Sequence, residues 1–190
     1  MKYRLLDILF KSEIISEAFK RAEQLNLPNW YIGAGCIAQT VWNHFHGFDP
    51  ESFINDIDLV YFDSVDLSFE AEDEFIRKAA EYFKGFSIPI DIKNQARVHL
   101  WFEDKFGYNI APYQSITDAV KTWPTTSTTV AVRPDGASYE VYVPYGLEDL
   151  FSLSIKPNKV QITREICETK CKRWRKHWPR LKIIPWDENS

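Results

Sequence analysis

Cysteine is scarce, long apolar runs are missing, and no internal repeat or low-complexity tract interrupts the 190 residues. Three cysteines, Cys36, Cys167 and Cys171, cannot all pair internally. The chain is therefore not a disulfide scaffold, and a reducing compartment is the simple reading. Cys167 and Cys171 are four apart, on one face of any helix, with His177 nearby. No second CxxC-type pair accompanies them, so they read as packing residues rather than zinc ligands. No stretch reaches the ~20 apolar residues of a bilayer span. Met1-Lys2-Tyr3-Arg4 leads into a charged amphipathic segment rather than a secretory leader. A cytoplasmic protein with no membrane partner is expected. A net charge of −4 excludes a wholesale polyanion-binding surface. One local exception stands out, because Lys170, Lys172, Arg173, Arg175, Lys176, Arg180 and Lys182 occur from 170 to 182 without an acidic residue.

What is present suffices for a core without staples. Ile14, Ile15, Ala18, Phe19, Ala22 and Leu25 fall at helical spacing before Asn26-Leu27-Pro28-Asn29 stops the helix. A strand at Trp30 to Ile32 runs into Gly33-Ala34-Gly35, and a helix to His46 follows, closed by Gly47. Ile57 to Phe62 reads as a strand, Ser68 as the cap of a crossover helix, and Ile88 to Ile92 as a further strand. Asn94 caps the next helix, which Gly107 ends. Thr125 to Arg133 and Ser138 to Val143 read as strands around a Pro134-Asp135-Gly136 hairpin turn, followed by a helix from Gly146 to Leu153 and the basic helix. One domain over 1–190 is expected, with a core of about 28–145 and a helical appendage of about 146–190.

The chemistry-bearing pattern is Asp56-Ile57-Asp58 at the head of an apolar strand. At strand spacing both carboxylates project from one face, while Ile57 and Leu59 face the other way. Such crowding is unfavourable unless a cation relieves it, and hard oxygen ligands suit Mg²⁺ shared with substrate phosphates. Asp91 lies on the less apolar face of the next strand, trailed by Lys93 and Arg97 as candidate phosphate or nucleobase contacts. The Thr125 to Thr129 run reads as β-propensity rather than a ligand site. The four histidines form no ligand pattern, and Trp30, Trp42, Trp101 and Trp174 read as core.

Strand, glycine turn, helix, Asp-x-Asp strand, crossover helix and a strand with a third aspartate resemble the nucleotidyltransferase superfamily related to DNA polymerase β. Gly33-Ala34-Gly35, Thr40-Val41-Trp42, the run from Asp91 to Trp101, Arg173-Trp174 and Trp178-Pro179 are more narrowly similar to a small bacterial family of predicted nucleotidyltransferases. The resemblance implies an α+β, polymerase β-like fold: a mixed sheet of roughly five strands with helices packed mainly on one face. It also implies transfer of a nucleoside monophosphate from an NTP to a hydroxyl acceptor, with release of pyrophosphate. By that resemblance Asp56, Asp58 and Asp91 are the catalytic and metal-binding residues for Mg²⁺ or Mn²⁺. Gly33, Ala34, Gly35, Lys93 and Arg97 then bind the nucleotide. The acceptor stays open among RNA, a small molecule and a protein. Ala34 departs from the superfamily's Gly or Ser, which leaves backbone N–H groups and the helix N-terminus to meet phosphate. The alternative is an inactive nucleotide- or RNA-binding protein that keeps the fold.

Overall fold

Two helices, not one, open the chain. In the computed structural model, which describes residues 1–188, Lys2–Leu9 (α1) buries Leu5, Leu6, Ile8 and Leu9. Ser12 then caps Glu13–Gln24 (α2) by accepting the Ile15 N–H, and α2 buries Ile15, Ala18, Phe19 and Ala22 as its periodicity demands. Tyr31–Gly33 (β1) leads through Ala34 into Gly35–His46 (α3), which ends at Gly47 in the left-handed conformation. Ile57–Tyr61 (β2) is followed by Phe69–Tyr82 (α4), capped by Ser68, and by Ile90–Asn94 (β3). Asn94 caps a single 3-10 turn, Gln95–Arg97, that runs into Val98–Phe106 (α5). Ile116–Val120 (α6), Ala131–Asp135 (β4), Ser138–Tyr142 (β5), Glu148–Phe151 (α7), Ser154–Ile155 (β6), Arg164–His177 (α8) and Lys182–Ile183 (β7) complete the order.

The mixed five-stranded sheet runs β3-β2-β1-β4-β5, with β2 and β3 parallel through the α4 crossover and the other pairs antiparallel. Strand alternation divides the apolar residues between its faces. Ile32, Ile57, Leu59, Tyr61, Ile92 and Val132 join the main core with side chains of α1, α2, α3 and α8. Tyr31, Val60 and Ala131 point the other way into a small cluster with Ile116 and Val120 of α6. The expected α+β sheet, helices mainly on one face, is the observed one.

Three local readings are corrected. Thr125 to Thr129 is a buried turn rather than part of a strand: Thr125 Oγ1 bonds Thr128 Oγ1 at 2.7 Å, and Thr129 Oγ1 donates to the Thr125 carbonyl at 2.8 Å. Hydroxyls that bond nearby backbone compete with the ladder, and here they outweigh β-propensity. Pro134 and Asp135 belong to β4, paired with Tyr139 and Ser138, so the reversal falls at Gly136–Ala137. The basic helix stops at His177, before Pro179, and Arg180 and Lys182 lie beyond it. β6 and β7 form a two-residue parallel pair that no sequence pattern announced. No helix among the described residues is long and apolar enough to cross a membrane.

Candidate active site

Sheet register assembles the site. Gly33 is opposite Asp58 across β1 and β2, and Asp58 is opposite Asp91 across β2 and β3. Because Ile57, Leu59 and Tyr61 are committed to the core, Asp58 and Val60 are turned to the opposite face, where they line a cleft of about 400 Å³. Asp56, exposed just ahead of β2, Asp91 and Lys93 line the same cleft. Lys93 forms an ion pair with Asp91.

Burial, reinforced by the charges of Asp56 and Asp91, raises the Asp58 carboxyl to about 7; Lys170 and Lys93 pull in the opposite direction. Lys170 is correspondingly depressed, first by burial and then by Arg173, while Asp58 favours its charged form. Asp56, Asp58 and Asp91 thus line the cleft together with a cationic wall of Lys105, Lys170 and Arg173. The wall comes from α5 and α8. It is where the basic run meets the carboxylates.

The glycine turn divides into three roles. Gly33 is the packing residue: a Cβ there would lie 2.7 Å from Trp123 Cη2 and 2.7 Å from the Val130 carbonyl oxygen. Ala34 lines the cleft with φ 56° and ψ −125°, a left-handed-side conformation that an L side chain adopts at a cost, and its N–H donates to the Val130 carbonyl at 3.0 Å. Gly35 begins α3 beside the carboxylates, where a Cβ would sit 3.8 Å from Asp58 Oδ2 and 3.3 Å from Gln39 Nε2. No side chain caps α3, so its first-turn N–H groups face the cleft end of the helix with the positive end of the dipole.

Two predicted contacts lie outside the cleft lining, Gly33, which packs against Trp123 and Val130, and Arg97. The 3-10 turn after Asn94 swings it away, and it lies buried in an ion pair with Glu72, with its Nε donating to the Leu67 carbonyl at 2.9 Å. Glu72 Oε1 also accepts the Asn94 N–H at 2.7 Å, so the pair clamps the end of β3 to the start of α4. Sequence reasoning missed Gln39, whose buried Oε1 has no hydrogen-bond partner and whose side chain lines the cleft. A position four residues after Gly35, on the same helical face, was its only signal. It also missed Lys105 and the aromatic flank of Trp101, Tyr113 and Trp123.

A solved NMR structure, whose title reports that it reveals a CCA-adding enzyme head domain, superimposes with a TM-score of 0.79 at 24% identity, covering 97% of this chain and 96% of that one. That likeness establishes the fold. No curated protein matches the chain. A family described as nucleotidyltransferase matches residues 20–183, most of the length and every element of the cleft, and the chain belongs to that nucleotidyltransferase family.

Proposed function

We propose that the chain transfers a nucleoside monophosphate from a metal-bound NTP to an acceptor hydroxyl, releasing pyrophosphate. The observation that carries this reading is the side-by-side placement of Asp58 and Asp91 in register, with the uncapped N-terminus of α3 against Asp58. Carboxylate oxygens, and an Asp58 carboxyl raised first by burial and then by the charges of Asp56 and Asp91, suit a hard divalent cation. Among the described residues, no three His, Cys, Asp or Glu side chains converge into a ready cage. Mg²⁺ or Mn²⁺ would take one or two carboxylates and complete its shell with phosphate oxygens and water. Asp56 and Asp58 would hold it, with Asp91 adjacent. When bound, the ion neutralises phosphate charge at the reacting phosphorus.

The protein's own groups account for the rest. The N–H groups opening α3, with Lys170 and Arg173 across the cleft, bind the β and γ phosphates. Asp91 takes the proton as the acceptor oxygen bonds to the α-phosphorus. The bridging P–O bond breaks, and its electron pair leaves on pyrophosphate. Trp101 and Trp123 flank the space left for a base.

Calorimetric titration of the four NTPs with and without Mg²⁺, on wild type and on Asp58→Asn, tests the reading. Binding that needs the metal and is lost in the variant supports it. NTP affinity indifferent to both would sink it and favour the inactive binder.

A further inference from the structure

α3 is buried almost all round, and it carries polar side chains into that interior. Two of them find their partners in the protein. Thr40 Oγ1 donates to the Cys36 carbonyl at 2.9 Å. Asn43 is bonded at both ends: its Nδ2 donates to the Pro50 and Ser52 carbonyls at 3.0 and 2.7 Å, and its Oδ1 accepts the Trp178 Nε1–H at 2.7 Å. Gln39 breaks the pattern. It is only 5% exposed, and its Oε1 has no hydrogen-bond partner among the described residues. A buried carboxamide oxygen loses its water on folding, and this one receives no donor in return.

The carboxamide lies beside the carboxylates. Side chains on a helix lean toward its N-terminus, so Gln39 reaches back over Gly35, one turn earlier. A Cβ on Gly35 would stand 3.3 Å from Gln39 Nε2 and 3.8 Å from Asp58 Oδ2, so amide and carboxylate flank one glycine that puts no side chain between them. All three residues line the cleft. The NH₂ group is the amide atom nearer that point, as expected next to a carboxylate that would repel a second acceptor, and the oxygen is the end left over. The last torsion of a glutamine is broad, so this oxygen turns at little cost toward a donor that the cleft receives.

A carboxamide oxygen only accepts, and the oxygens of a triphosphate only accept as well. The donors that a metal-bound nucleotide brings to a carboxylate are O–H groups, those of its ribose and those of the water that Mg²⁺ retains. We infer that Gln39 is a substrate-binding residue whose Oε1 accepts a hydrogen bond from such an O–H. The inference rests on the transferase reading above, and it adds a contact that the N–H groups of α3 and the cations of α8, donors only, cannot make.

Calorimetry tests it on wild type and on Gln39→Met, an apolar side chain of similar length. The ligands, each with Mg²⁺, are the four NTPs, their 2′-deoxy and 3′-deoxy forms, and tripolyphosphate, which has no ribose. The variant should bind the preferred NTP about fivefold to tenfold more weakly than wild type. A loss repeated on tripolyphosphate identifies water on the cation as the donor. A loss confined to nucleotides and absent from one deoxy form identifies the hydroxyl which that form lacks. Without ligand, Gln39→Met should melt no lower than wild type, because a partnerless buried oxygen has given way to an apolar group. A lower melting temperature with unchanged affinities would give Oε1 a partner inside the protein, such as the unpaired Trp174 Nε1–H of the same cleft, and overturn the inference. So would a loss that persists on both deoxy forms and is missing on tripolyphosphate, which places the contact on the base. Wild type that binds no Mg²⁺-NTP overturns the transferase reading and the inference with it, whereas NTP binding that Gln39→Met leaves untouched overturns the inference alone.

Discussion

Asp58 and Asp91 stand opposite each other in the parallel β2–β3 ladder and share its cleft face. Burial is the main cost of ionising Asp58, and the charges of Asp56 and Asp91 add to it, so the carboxyl is raised to about 7. The folded state holds that proton more tightly than the unfolded chain, where an aspartate titrates near about 4. Stability is therefore lost as pH rises from about 4 through about 7 and is level above that. Asp58→Asn removes the penalty. Its full size is roughly 4 kcal/mol for a shift of about three units, and because the side chain is partly open to the cleft, about 2 kcal/mol is expected. Urea unfolding should show the variant more stable than wild type at pH 8 and nearly equal at pH 4.5. A gap of the same size at both pH values would contradict the assignment.

Ala34 carries the strain in the glycine turn. At φ 56° a Cβ is costly, and glycine adopts this conformation freely. Ala34→Gly should stabilise the protein by about 0.5–1 kcal/mol, the relief exceeding the extra entropy lost by glycine on folding, and raise Tm by about 2–3 °C. The companion substitution Gly33→Ala should do the reverse, costing about 2–3 kcal/mol, because its Cβ meets a backbone carbonyl as well as the Trp123 ring. Thermal melts of the two variants separate the roles of adjacent residues, and stabilisation by both would show that the turn is looser than described.

The parts of this site that could be read from sequence are those set by short-range rules. Period-two alternation places Asp56 and Asp58 on one face, the Gly33-Ala34-Gly35 turn precedes a helix with regular apolar spacing, and an α4-length segment suffices to make β2 and β3 parallel. Arg97 defeats such reading. Its distance from Asp91 in sequence is small, but a 3-10 turn and a partner, Glu72, twenty-five residues upstream determine where it points. The basic run was visible as charge, yet only the packing of Cys167, Cys171 and Trp174 into the core decides that Lys170 and Arg173 face the aspartates. The threonine run fails for a different reason: hydroxyl-to-backbone bonds are local, but propensity scales average over them.

Arg97 and Glu72 supply a structural contrast to the cleft. Both are buried, and removing one leaves the other's charge unpaired. Arg97→Met is expected to destabilise the protein by about 3–4 kcal/mol. At a temperature where the variant remains folded, its Mg²⁺-NTP affinity should equal that of wild type. A selective loss of nucleotide binding with unchanged stability would return Arg97 to the site.

Lys170 joins the electrostatics of the two walls. It is depressed by burial and by Arg173, and it favours ionised Asp58 while being favoured by it, so the two charges support each other across the cleft. Among the described residues no carboxylate pairs with this ammonium, and such a place suits a ligand that brings its own negative charge. Lys170→Met should weaken Mg²⁺-NTP binding about tenfold, close to 1.4 kcal/mol, and weaken a nucleoside lacking phosphates hardly at all. It should also lift Asp58 further, moving the pH at which metal-dependent binding appears to a higher value, since a cation that favoured the carboxylate is gone. Titrations of NTP and nucleoside at pH 6.5 and 8.5 read both effects together. Equal losses for nucleoside and triphosphate would place Lys170 against the base instead, and an unshifted pH dependence would uncouple it from Asp58.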